Sequence, residues 1–188
     1  MSSSDRRSLR RFAALAVALS ALGLSACTVR PLYSDAQFTS STVPGGETVK
    51  SALASISIKP PVNRVGLEVR NQLIFLLRGD GSEPADPRYT LTQTVTAVNE
   101  SSAIIQASRE SEPTSAIMTV TSIYRLTETA TGKVLATGKR SVGSSYDIPQ
   151  QEFAALRAVR DAENRAAREL ADLLRLAIAQ DLQTLPGS

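Results

Sequence analysis

The spacing of hydrophobic and polar positions changes several times along the chain, and each change marks an element. Over 51–58, Ala52, Ala54, Ile56 and Ile58 fall on one side and Leu53, Ser55 and Ser57 on the other. This period of two predicts a first strand, closed by Pro60-Pro61. From Asn63, a predicted N-cap, the period lengthens. Val65, Val69, Leu73, Leu76 and Leu77 recur at steps of three or four, which predicts a helix to about Arg78. Leu67, Ile74 and Phe75 widen its apolar stripe, and Gly79-Asp80-Gly81 stops it. The period of two then returns. Tyr89, Leu91, Val95 and Ala97 oppose Thr90, Thr92, Thr94 and Thr96 in a strand over 88–99, where β-branched threonines suit an exposed sheet face. Ala116, Met118, Val120, Tyr124 and Leu126 define a strand over 115–127, and Ala130-Thr131-Gly132 turns the chain. A last strand over 133–145 is weakened by Gly138 and Gly143. Between the first two of these strands, Ile104 and Ile105 are compatible with an extended strand, and 108–113 reads as a loop.

The final segment predicts a long helix. Asp147 with Gln150 three residues on resembles a capping box, and Pro149 is tolerated in a first turn. Phe153, Leu156, Val159, Ala162, Ala166, Leu170, Leu173 and Ala177 then follow helical spacing, while Arg157, Asp161, Arg165 and Glu169 alternate in sign along a solvated face. One-sided strands and one-sided helices must bury their apolar faces together. The expected fold is therefore an α+β two-layer sandwich, a four-stranded mixed sheet with two helices on one face, in the order β-α-β-β-β-α.

The first 26 residues follow a different logic. Arg6, Arg7, Arg10 and Arg11 precede an apolar run over 12–24 that is long enough for a signal-peptide core but shorter than the ~20 residues a membrane span requires. Leu24-Ser25-Ala26-Cys27 then looks like a lipobox. An ordinary secretory cut requires a small residue where Leu24 stands, so lipid attachment at Cys27 is the expected outcome. Cys27 is the only cysteine, which excludes an internal disulfide, and acylation removes a free thiol from an oxidising compartment. Resemblance to other lipoproteins implies that Thr28 after the cysteine, in place of Asp, favours onward sorting to the outer membrane. Residues 27–50, with Pro44-Gly45-Gly46 among many Thr and Ser, read as a lipidated start and flexible tether, or simply as a ragged N-terminus. A single folded domain is expected over 51–188.

Charge and composition narrow the function. The chain carries 21 basic and 18 acidic residues, but four of those arginines and Asp5 lie within 1–26, so the remainder is balanced. A nucleic-acid partner loses its main support. The absence of histidine removes His-based triads, general bases and metal ligands. Glu110, Glu112 and Glu128 form no paired pattern, and no phosphate-binding glycine loop is present. No catalytic residues, no metal and no cofactor beyond the covalent lipid on Cys27 are expected. A binding or assembly module is.

At this point a family resemblance enters. Cys27-Thr28-Val29-Arg30-Pro31-Leu32-Tyr33 resembles the opening of the LptE family of lipopolysaccharide-assembly lipoproteins, in which Pro-Leu-Tyr follows the lipidated cysteine within a few residues. The order of elements is similar too, as is the Arg- and Ala-rich final helix through Ala154-Ala155-Leu156-Arg157 and Ala166-Ala167-Arg168-Glu169-Leu170-Ala171. The resemblance implies an outer-membrane lipoprotein on the periplasmic side that acts as plug and assembly partner of the LptD β-barrel and binds lipopolysaccharide. It also implies that basic side chains on the sheet and its loops contact that anionic lipid. The nearest cluster in this chain is Lys133, Lys139 and Arg140, which reads equally as charge protecting a sheet edge. The alternative class is a periplasmic accessory lipoprotein of an ABC-type lipid transporter.

Overall fold

A computed structural model of the chain describes residues 42–43, 46–79, 81–101 and 115–185. The expected signal peptide, Cys27, Ile104, Ile105 and the 108–113 loop lie outside the described residues. The elements run α1 (Val49–Ala54), β1 (Ile56–Ile58), α2 (Arg64–Arg78), β2 (Tyr89–Ser101), β3 (Ser115–Glu128), β4 (Val134–Asp147) and α3 (Glu152–Gln183). One four-stranded sheet has the order β1-β2-β3-β4. β1 is parallel to β2, and the other neighbours are antiparallel. The expected two-layer fold is the observed one, with one short helix added at its start.

That helix corrects the reading of 51–58 as a single strand. The Thr48 hydroxyl accepts from the Ser51 N–H at 3.2 Å, and the Ser51 hydroxyl donates to Glu47 Oε1 at 2.7 Å. This N-cap starts a turn in which Val49, Ala52 and Leu53 are buried, a spacing of three and four rather than two. Only Ile56–Ile58 remains as strand, ending where Pro60-Pro61 have no N–H to offer. Val43 and Val49 belong to the same core, so packing begins inside the stretch expected to be a tether.

α2 forms as its sequence predicts. The Asn63 side chain accepts from the Gly66 N–H at 2.7 Å, and Gly79, at φ 85°, ends the helix in the left-handed conformation. Gly66 is required by close packing: a Cβ there would come within 2.8 Å of both Asn63 Oδ1 and Pro61 Cβ. Val65, Val69, Leu73, Ile74 and Leu77 are buried, whereas Leu67 and Phe75 are exposed, so the stripe is narrower than expected.

The start of α3 is a second correction. Asp147 is the last residue of β4, paired with Ser115, and the helix begins at Glu152 with no side-chain cap. Sheet pairing claims Asp147 before it can act as a helix cap. Buried positions on α3 begin only at Ala162, and Phe153 is 82% exposed, so the first two turns contribute little to the core. From Ala162 to Leu182 the buried residues alternate Ala with Leu and Ile. The small side chains let the helix lie close to β3 and β4 while Leu170, Leu174, Ile178 and Leu182 fill the layer. Each such leucine contributes about 1.5–3 kcal/mol of burial.

β3 provides the other half of this interface through Ala116, Met118, Val120, Tyr124 and Leu126. Gly138 is specific to the packing. It lies opposite Tyr124, and a Cβ there would come within 2.6 Å of the Tyr124 ring. The glycine gives the ring room to reach across the strand, where its hydroxyl donates to Asp181 Oδ2 on α3 at 2.7 Å. Burial, then the Asp181 bond, pushes the Tyr124 phenol up to about 12.

Candidate functional site: the open face of the sheet

The face of the sheet turned away from the helices is built by the same alternation that builds the core. Strand register sets its residues in rows: Thr92, Arg125 and Thr137; Thr94, Ile123 and Lys139; Thr96, Thr121 and Ser141; Val98, Thr119 and Gly143; Glu100, Ile117 and Ser145. Hydroxyls dominate. Thr121 Oγ1 and Ser141 Oγ lie 2.8 Å apart, one cross-strand hydrogen bond within this surface. Apolar side chains break the polar field: Ile123 is 57% and Val98 51% exposed, and Ile117 is half-buried on the same face. Such a surface is too polar to be a core.

The three basic residues singled out in the sequence do not share this face. Lys139 stands on it, beside Ile123. Arg140, one residue on, points to the helix side, and its Nη1 donates to the Lys139 carbonyl at 2.9 Å. Lys133 precedes β4 in the hairpin turn, beyond a register shift at which Leu126 pairs with Ala136 and Thr127 with Val134, leaving Leu135 as the extra residue. There the Thr131 hydroxyl accepts from the Lys133 N–H at 3.2 Å, and Gly132 adopts φ 70°. The residue missed by sequence reasoning is Arg125. It sits diagonally from Lys139 on the open face, exposed, in the row of Thr92 and Thr137. Only the β3–β4 register reveals that neighbour relation.

Other arginines are engaged elsewhere. Arg64 pairs with Glu163, Arg70 with Glu83 and Arg88 with Glu47. Arg88 also lies over the Tyr89 ring, 5.5 Å from its centroid. Among the described residues, no group of three or more His, Cys, Asp or Glu side chains is placed to hold a metal ion, and no helix is long and apolar enough to cross a membrane. The arrangement offers what a binding surface offers: aligned hydroxyls, the apolar side chains Val98, Ile117 and Ile123, and the cations Arg125 and Lys139.

Comparison with known proteins gives a consistent picture. The family model described as LptE, lipopolysaccharide-assembly, matches residues 53–178. Among solved structures, a lipoprotein from Caulobacter crescentus is similar at 25% identity and a TM-score of 0.59, over 72% of this chain and 96% of that one. The rare lipoprotein B from Shewanella oneidensis is similar in fold at 13% identity and a TM-score of 0.50, over 66% of this chain and 93% of that one. No curated protein matches the chain.

Proposed function

This chain belongs to the LptE lipopolysaccharide-assembly family, and from that premise we propose that it is an outer-membrane lipoprotein, acylated at Cys27, that serves as plug and assembly partner of an LptD-type β-barrel. In this reading residues 1–26 are removed on export, the lipid holds the protein to the membrane from its periplasmic side, and the folded body enters the barrel. More than one acyl chain on the anchor makes such attachment effectively stable.

The observation that carries the reading is the open face of the sheet. A transmembrane barrel of this kind presents a polar lumen. A surface of threonine and serine hydroxyls, rigid because it rides on three long paired strands, suits contact with such a wall. Lipopolysaccharide contact is proposed for Lys133, Lys139 and Arg140, with Arg125 added as the cation that shares the face of Lys139. Charge-assisted hydrogen bonds to phosphate supply the mechanism. A protein of this kind performs no bond chemistry of its own; it binds and positions.

The test is recovery of the partner. Tagged full-length protein, purified from detergent-solubilised envelopes, brings down a large β-barrel, and depletion of the protein leaves that barrel immature. Recovery of inner-membrane transporter components instead, with no barrel, supports the accessory-subunit alternative and ends this one.

A further inference from the structure

Both long edges of the sheet carry side chains that occupy backbone carbonyls. On the β2 edge, β1 pairs only with Tyr89, Thr90 and Leu91. Farther along, Asn63 Nδ2 donates to the Val95 carbonyl at 2.7 Å. On the β4 edge, Arg140 Nη1 donates to the Lys139 carbonyl and Arg165 Nη2 to the Ser145 carbonyl, each at 2.9 Å. Arg165 is held for this task by two further contacts. Its Nη1 pairs with Asp161 one turn earlier on α3, and its Nε donates to the Ser144 hydroxyl at 3.2 Å.

In a strand, the N–H and C=O of one residue point to the same edge, and that edge alternates along the chain. The two carbonyls taken by guanidinium groups belong to Lys139 and Ser145, so Ser141 and Gly143 between them also face outward. Their outward backbone groups have no strand partner among the described residues, since β4 is the last strand of the sheet. A long strand with unpaired outward groups is a template for another strand, and inward-pointing charge is one way proteins blunt it. Arg140, on the helix side of the edge strand, is such a charge.

We propose that the β4 edge is a pairing surface for a second copy of this chain, kept closed by Arg140 and Arg165. The edge fits its own copy. Antiparallel pairing about a two-fold axis at Val142 sets Lys139 opposite Ser145 and Ser141 opposite Gly143, so every outward residue meets an outward residue. On the helix side Arg140 meets Ser144. No like charges face each other along the strand itself, but Arg165, bound at Ser144, stands where the other copy's Arg140 arrives, and that repulsion helps keep the edge closed. The obstacle is that both outer rungs of the ladder have their carbonyls already occupied by guanidinium groups.

Sedimentation velocity on the full lipidated chain in density-matched detergent tests this. Arg140→Ala/Arg165→Ala should self-associate at least about tenfold more tightly than the unaltered protein, the scale of a free energy the size of one hydrogen bond. Adding Ser141→Pro, which removes an outward N–H, should reverse the gain. Lys139→Ala lowers the charge equally per site but leaves both caps, and should not associate. Arg165→Ala alone, at a side chain 43% exposed, leaves the core untouched and should show a smaller gain, so the idea stands or falls even if the double variant misfolds. Variants that remain as monomeric as the parent, association that survives Ser141→Pro, or equal association by Lys139→Ala would each overturn the proposal.

Discussion

The two faces of one sheet are made from the same strands and have opposite fates. On β3, Ala116, Met118, Val120, Tyr124 and Leu126 are sealed beneath α3, while Thr119, Thr121, Ile123 and Arg125, interleaved with them, line the open side. The inner face specifies the fold, because its side chains are matched in volume to one helix layer. The outer face does little for stability and is free to be shaped by a partner. Substitutions on the two sides should therefore separate stability from assembly.

The largest effect is expected at the centre of the layer. Leu170→Ala should destabilise the protein by about 2–5 kcal/mol, measured by chemical unfolding, because it leaves a cavity under a fully buried position. On the other side, Thr121→Ala should change stability within about 0.5 kcal/mol yet reduce recovery of the barrel. Equal losses of stability at the two sites would erase the distinction.

Gly138→Ala comes next. The added methyl meets the Tyr124 ring, and such overpacking should cost about 1–3 kcal/mol in the same unfolding measurement. Tyr124→Phe in that background should relieve only part of the cost, since the ring carbons Cζ and Cε1, at 2.6 and 2.7 Å, stand in the way together with the hydroxyl.

A smaller effect runs in the opposite direction. Gln93 and Ser122 are buried on the inner face, and neither the Gln93 amide nor the Ser122 hydroxyl finds a hydrogen-bond partner among the described residues. Gln93→Met, of similar volume, should raise the unfolding free energy by about 1 kcal/mol by removing that desolvation penalty. A loss of stability would mean that these groups are satisfied in solution.

The Tyr124 phenol gives a pH signature. Its folded-state pKa of about 12 lies above the ordinary 10, so the protonated ring contributes stability that is whole below pH 10 and is lost as pH rises through 12. The melting temperature should fall across that interval, and Tyr124→Phe should flatten the fall. An unchanged slope in the variant would remove Tyr124 as the cause.

The contrast between faces also explains what could be read from the chain alone. β2, β3 and α2 were legible because many residues repeat one period over a long run, and Asn63 and Gly79 punctuate α2 with side-chain and backbone chemistry that acts locally. α1 was obscured because its last four residues, Ser51, Ala52, Leu53 and Ala54, also satisfy a period of two, and the deciding cap, Thr48, lies before the pattern begins. The start of α3 was misplaced because Asp147 can cap a helix or end a strand, and its pairing with Ser115 across the sheet decides between them. Phe153 and Leu156 kept helical spacing but not burial, since periodicity reports a face and not what lies against it. For the candidate site, Lys139 was found from composition near a hairpin, whereas Arg125 required the β3–β4 register. Separating Arg140 from Lys139 required only the alternation of a strand.

Site-specific photocrosslinking in intact envelopes tests the central claim most directly. With a crosslinker placed at Thr94, Thr121 or Ser141 on the open face, the account predicts adducts with a large outer-membrane β-barrel, formed without loss of the folded core. The absence of a barrel adduct from all three positions, in protein that is folded and lipidated, would contradict it.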